Sequence, residues 1–445
     1  MTGQTQQDFD IVVIGAGGCG MVAALVAAQQ GAQVVLLEKT DKVGGGTAFS
    51  SKGLRSAGTR FQTKVGIEDS AAQYAADVRE RNFGRSDPAL TEVLARTSGE
   101  VTDWLAERVG MDFEVPEFKF GHSARRSHTW REEKLITDYL FEAVQREKNI
   151  QVFFSTTVSS LATDPSGAVT GAVTDHGTFS AQKVVLATGG FGANPDLIAK
   201  YIPKASGILF PGHHGSTGDG LKIATDLGAD TAHMDAFQPY PAYLGPGKRS
   251  VSPEVILSGG IMVGPDGRRF VDETRYPGGL SEGILALPNK QGYEIFDQRV
   301  LDLQHDRIKD LEGLVVKADT AREVADKLGI DPVGLEETVR AYNASEGKKD
   351  AFGRDVSTQL TPPFYGIKVT VALYHTQGGV RVNPDAQVLR KDGSVIPNLY
   401  AGGGVAEGVS GDGMDGYLPG NGQLASLGLG FIAGRQAAQS LARRN

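Results

Sequence analysis

The chain has 445 residues, 40% hydrophobic and 22% charged, with a formal net charge of −8 from 45 basic and 53 acidic side chains. That profile fits an ordinary globular protein with room for two or three domains and argues against nucleic acid as a main partner. No apolar run reaches the roughly 20 residues of a membrane-spanning helix, and a single cysteine, Cys19, excludes an intrachain disulfide, a cysteine-ligated iron–sulfur cluster and a Cys-x-x-Cys-His haem site.

The opening "MTGQTQQDFD" is polar, with neither a basic nor an apolar signal region, so no secretory signal is expected and the cytoplasm is the default. "DFDIVVIGAGGCGMVAALVAAQQGAQVVLLEK" then runs strand, glycine turn, helix, glycine, strand. Ile11–Ile14 is continuously apolar, as a strand buried on both faces should be. Gly15, Gly17 and Gly20 form G-x-G-x-x-G, which permits a tight turn, backbone approach to a pyrophosphate and close helix–strand packing. Glu38 ends the second strand, placed to accept hydrogen bonds from a ribose, with Lys39 beside it. Cys19 is expected to pack as a small residue. A second glycine loop follows, with Gly45, Gly46 and Thr47 and then Ser51 and Gly53, which suits a cofactor longer than NAD. With 59 glycines in the chain, backbone brought close to a ligand in several loops is the expectation.

"DPALTEVLARTSGEVTDWLAERVG" (87–110) has helical periodicity, and 150–186 alternates in the manner of a small antiparallel sheet. "TAREVADKLGIDPVGLEETVRAYNASEG" (320–347) predicts two helices, the second starting at Asp-Pro. Further ordered segments are "KVVLATGGFGANPD" (183–196), "GSTGDGLKIATDLGAD" (215–230), "GGIMVGPDGRRFVDE" (259–273), "HTQGGVRVN" (375–383) and "PNLYAGGG" (397–404). With the glycine loops, they make the chain resemble the fumarate reductase/succinate dehydrogenase flavoprotein superfamily over nearly its whole length. The resemblance implies an α/β fold: a Rossmann-like FAD-binding domain, parallel sheet plus small antiparallel sheet, with an inserted α+β capping domain. The expected boundaries are 1–238 and 374–445 for the FAD domain and 239–373 for the cap. It also implies FAD contacts from Ala187, Thr188, Gly189, Asp219, Gly403 and Leu424. The loop 44–53 lacks the histidine of covalent attachment, so FAD is expected to be noncovalent. Where relatives carry a glutamate reaching the ribityl chain, this chain has Gly404; Glu407 is either its substitute or a solvated loop carboxylate. No metal is expected.

At the substrate site the resemblance departs from fumarate reductases. Their proton-donating arginine falls on Pro277, with Arg275 nearby, and their relay glutamate falls on Pro253, beside Glu254. Their "Q-x-H-P" histidine becomes Tyr240 and their carboxylate-clamping arginine becomes Tyr417; only His375 is kept. "DGYLPGNG" (415–422) instead resembles the Y-P-G-x-G loop of ketosteroid dehydrogenases with Leu418 inserted. There a tyrosine hydroxyl and a glycine N–H, here Tyr417 and Gly422, polarise a ketone. Removing an α-proton and a β-hydride, the hydride to flavin N5, requires that the developing enolate be stabilised by such donors, each typically worth about 10²–10³ in rate. Tyr240 and Tyr243 are the candidate bases, needing activation from an ordinary pKa of about 10. His375 is their activator, a base itself, a substrate donor, or a cap on a strand Val369–Leu373. "GHSARRSHTW" (121–130) offers Arg125, Arg126 and His128 either to a substrate carboxylate or to surface ion pairs.

The leading expectation is an FAD-dependent dehydrogenase oxidising a CH–CH bond adjacent to a ketone (cyclic ketone, oxo-acid or 3-ketosteroid-like), with a separate electron acceptor. The alternatives are an enoate reductase of the fumarate or urocanate type, with Arg275 as proton donor and a separate electron donor, and a non-enzymatic flavin electron relay.

Overall fold

Ile11, Val12, Val13 and Ile14 are apolar in succession because both faces of their strand are covered, and all four are buried. In the computed structural model, which describes residues 7–441 except 51–52, 120, 246–249, 276, 305–307, 309–310 and 312, this strand runs Gln7–Ile14. It pairs in parallel with Val34–Leu37 on one side and Gly177–Leu186 on the other. The sheet has eight strands. Ile150–Phe153 joins it in parallel beside Val34–Leu37, so the antiparallel reading of 150–186 holds only from Val158 onward. Within the same sheet, Gly177–Leu186 joins the antiparallel strands to the parallel ones. Its start pairs antiparallel with Val169–Thr174, and its end pairs in parallel with Val395–Ala401.

Helix Gly18–Gln29 is buried on every side from Gly18 to Ala28. It packs against the last helix, Asn421–Gln439, at van der Waals separation, because small residues line the contact. A Cβ at Gly430 or Gly434 would fall 2.5 Å from Cys19 O or 2.3 Å from Ala23 O. Cys19 is buried there and burial pushes its thiol up to about 12, consistent with packing alone. Helix Pro88–Trp104 starts at Asp87, whose side chain accepts from Leu90 N–H, and ends in a wider turn, Leu105–Val109, closed by left-handed Gly110.

The chain divides into two compact units. One contains residues 1–203, 212–237 and 375–445; the other contains 204–211 and 238–374. The second unit is built on a five-stranded sheet in the order Phe237–Tyr243, Phe364–Thr376, Gln291–Asp297, Ile261–Val263, with Val316–Ala318 paired to Phe364–Thr376. Apolar clusters cover both faces: Met262, Phe296 and Ile367 on one, Ile261, Tyr293 and Ile295 on the other. The two predicted helices form at Ala321–Leu328 and Pro332–Asn343, capped by Thr320 and Asp331. No helix among the described residues is long and apolar enough to cross a membrane.

Candidate functional site

The glycine cradle is built by the strand ends of the first unit. Gly15 has φ +105°, and a Cβ there would lie 2.5 Å from Ala187 O; a Cβ on Gly20 would lie 1.8 Å from Gly15 O. Neither position admits a side chain. Ala187 N–H donates to Ile14 O, so Ala187, Thr188 and Gly189 leave the sheet beside the first glycine loop. The second loop lies against the first: Gly44 N–H donates to Ala16 O, and Gly18 N–H to Thr47 Oγ1 at 3.3 Å. Gly45, Gly46 and Thr47 form a short 3-10 turn, Gly45–Phe49, and Gly46 has open space around it. Gly53 accepts from Arg55 Nη1; Ser51 lies outside the described residues.

Three features of this cradle suit an anionic dinucleotide. Helix Gly18–Gln29 begins at Gly17 with no side-chain cap and no acid in its first turn, leaving its positive end for a ligand anion. Glu38 is buried at the end of the second strand; one carboxylate oxygen accepts from Ala16 N–H at 2.8 Å and the other from Thr40 N–H at 2.9 Å. Thr188 Oγ1 is buried without a protein partner among the described residues, at a place where a Cβ on Gly220 would come within 2.1 Å of it. Lys39 Nζ reaches Asp219 at 2.6 Å and Thr217 at 2.8 Å, which ties the second strand to the helix that Asp219 starts. Gly403 packs on Cys19, and Leu424 is buried in the last helix.

The loop 415–422 enters that last helix in the same unit. Tyr417 is buried, 6% exposed. Burial raises its phenol pKa, while the N–H groups of Gly420 and Gly422 and the charge of Arg55 act on the oxygen in the opposite sense. The phenol oxygen therefore lies at the positive end of the last helix. Its ring meets His375 at 5.8 Å between centroids, 71° apart. His375 is inside the strand Phe364–Thr376, so the strand-cap reading does not apply. A Cβ on Gly422 would sit 2.6 Å from His375 Cε1, which explains why that position is glycine. Burial lowers the His375 pKa to about 4, so the ring is neutral near pH 7.

The loop is held from behind. Arg81 Nε donates to Tyr417 O at 3.2 Å, His122 Nε2 lies 2.9 Å from Pro419 O, and Arg85 pairs with Asp415 at 2.8 Å. Leu418 is buried, so the extra residue is accommodated by packing rather than by turning Tyr417 outward. Arg55 was not singled out by the sequence reading. It is buried, packs where a Cβ on Gly420 would lie 2.2 Å from its Cγ, and acts electrostatically on Tyr417. Its only signal was position, a few residues beyond the second glycine loop.

Several expected ligands are committed elsewhere. Arg126 is fully buried, not at the surface, and pairs with Asp69 at 2.7 Å and with Asp77, its guanidinium over the Tyr74 ring. Arg125 donates to the carbonyls of Val115 and Pro116, and His128 is buried between Thr59 Oγ1 and Arg126 O. Glu407 is not a solvated loop carboxylate. It is buried, accepts from Val382 N–H at 3.2 Å and lies 3.9 Å from His233.

In the second unit, Tyr240 donates its hydroxyl proton to Val251 O at 2.8 Å and stacks on Tyr374 at 5.0 Å. Tyr243 is buried and burial raises its phenol pKa, opposite to the activation a base needs. Arg275 is exposed, its side chain lying over Gly279; Pro277 caps the helix Gly278–Ala286 and Pro253 opens the helix Pro253–Leu257.

A family model described as "FAD binding domain" matches residues 10–424. An NADH:fumarate oxidoreductase of Klebsiella pneumoniae is 31% identical over 97% of this chain and 48% of its own length. A probable fumarate reductase, Ifc3, of Shewanella frigidimarina is 32% identical over 96% of this chain and 74% of its own. The chain thus spans about half of the first relative and about three quarters of the second. Among solved structures, a 3-ketosteroid-delta4-(5alpha)-dehydrogenase from Rhodococcus jostii RHA1, in complex with 4-androstene-3,17-dione, superposes with a TM-score of 0.82 at 25% identity, covering 98% of each chain.

Proposed function

From the premise that this chain belongs to the FAD binding domain family, we propose that it desaturates a ketone. It is an FAD-dependent oxidoreductase of the fumarate reductase/ketosteroid dehydrogenase family, a group acting on CH–CH bonds. The bond proposed is the one next to the carbonyl of a cyclic ketone, oxo-acid or 3-ketosteroid-like substrate. The cradle fits the cofactor: an uncapped helix terminus suits a pyrophosphate, and Glu38 keeps lone pairs for ribose hydroxyls. Bound FAD supplies the acceptor for the hydride that leaves the β-carbon.

One observation carries the choice of a ketone. Tyr417 holds a buried phenol whose oxygen faces the N–H groups of Gly420 and Gly422, and neutral His375 stands beside it. Burial raises the pKa of this phenol and so keeps it protonated near neutral pH, as a neutral donor must be. A neutral donor suits a carbonyl oxygen that gains charge as the α-proton leaves; a carboxylate calls for a cation. The α-proton leaves to a base and the reduced flavin passes its electrons to a separate acceptor, both as part of the proposal. The names of the fumarate-reducing relatives favour a second reading, an enoate reductase running the same bond chemistry in reverse.

The FAD-loaded protein decides between them under anaerobic conditions. Cyclic ketones are expected to bleach the flavin absorbance and succinate to leave it unchanged. Reoxidation of the reduced protein by fumarate or urocanate, without any response to ketones, would sink the desaturase. Tyr417→Phe is expected to cost about 10²–10³ in turnover, the usual penalty for one lost oxyanion donor. Unchanged turnover would remove Tyr417 from the chemistry.

A further inference from the structure

Behind His375 runs a buried chain of amide and hydroxyl groups. Gln377 Nε2 lies 2.7 Å from His375 Nδ1. Gln377 Oε1 accepts from Ser410 Oγ at 2.8 Å, and Ser410 Oγ accepts from Asn421 Nδ2 at 3.2 Å. Gln377, Ser410 and Asn421 are all at most 5% exposed. An amide nitrogen only donates, and the single Ser410 proton is directed at Gln377. The donors therefore run one way, from Asn421 through Ser410 and Gln377 to His375. A competing contact, Nδ1 to Thr376 O, measures 3.4 Å, too long to hold a proton against a 2.7 Å partner. Nδ1 is thus an acceptor, and a neutral imidazole must then carry its proton on Nε2. That Nε2 edge is the one packed at Gly422, where a Cβ would lie 2.7 Å away.

We infer that Gln377, braced by Ser410 and Asn421, is a positioning residue that fixes His375 as its Nε2–H tautomer. His375 then presents a neutral hydrogen-bond donor beside Tyr417, with no free lone pair for proton abstraction. Of the roles open to His375 in the sequence, this selects the substrate donor over the base. The inference deepens the ketone reading and rests on it for the identity of the group that receives the hydrogen bond.

The test is the protonation of each ring nitrogen of His375, read by 15N NMR on the FAD-loaded protein labelled at histidine. A His375→Asn sample identifies the signals. The expected wild-type result near neutral pH is an unprotonated Nδ1 and a protonated Nε2. In Gln377→Glu the carboxylate can only accept, so Nδ1 becomes protonated, and kcat falls about a hundredfold, as for a lost oxyanion donor, with KM less affected. A merely structural role for Gln377 would leave the ring nitrogens as they were. A protonated Nδ1 in the wild type, or an unprotonated Nδ1 in Gln377→Glu, overturns the inference. If that variant does not fold, the wild-type spectrum decides alone. Should the nitrogens behave as expected while no ketone reduces the flavin, the substrate reading fails and the positioning role stands.

Discussion

Glu294 occupies the middle of the second unit's sheet, between Ile261–Val263 and Phe364–Thr376, on the same face as Phe296. It is 0% exposed, and neither carboxylate oxygen has a hydrogen-bond partner among the described residues. Desolvation alone pushes its pKa up to about 8 from an ordinary 4.5. Between those values the folded protein keeps a proton that the unfolded chain has released, so stability falls as pH rises from about 4.5 to about 8 and is level beyond. A gap of about 3.5 pH units at about 1.36 kcal/mol each gives a loss of roughly 5 kcal/mol across the window. This is comparable to the whole stability of many domains, about 5–15 kcal/mol. Glu294→Gln removes the titration while keeping the shape. It should match the wild type near pH 5 and exceed it increasingly toward pH 8. Because the chain has two units, hydrogen exchange of the strand Gln291–Asp297 across this pH range is the appropriate assay, in place of a global melt. Parallel pH dependence in the two proteins would show that Glu294 is ionised and solvated, and would refute the reasoning.

The first unit should be labile to acid. His122, His128 and His375 are held neutral by burial, each with its pKa lowered to about 4. The unfolded chain binds protons first, so stability is lost as pH falls from about 6.5 toward 4; hydrogen exchange of the strand Gln7–Ile14 that stays equally protected over that range would contradict it. Gly422→Ala places a methyl where His375 lies, and should lower turnover about tenfold or more while the flavin spectrum is retained; a variant that turns over at the wild-type rate would detach His375 from the site.

What could be read along the chain was whatever depends on local pattern. The apolar run at Ile11–Ile14, G-x-G-x-x-G before an all-buried helix, and Asp-Pro at a helix start each state their own conformation, because strand burial, backbone approach and capping are decided within a few residues. Tyr417 stands out along the chain as one large side chain among glycines, and its proposed role came from the resemblance of its loop rather than from that pattern. Tertiary structure alone decided the partners. Arg125, Arg126 and His128 read as surface or substrate groups, yet Arg125 is taken up by nearby backbone carbonyls, and Arg126 and His128 by carboxylates and a hydroxyl far away in sequence. Glu407, open in the sequence between a ribityl contact and a solvated carboxylate, is buried, and the Tyr240 proton goes to a backbone carbonyl that no sequence pattern marks. Arg55 behind Tyr417, and the chain from Asn421 to His375, join residues brought together only by folding. A side chain's chemistry is set by which donors, acceptors and charges surround it and how much water remains, and those are long-range facts.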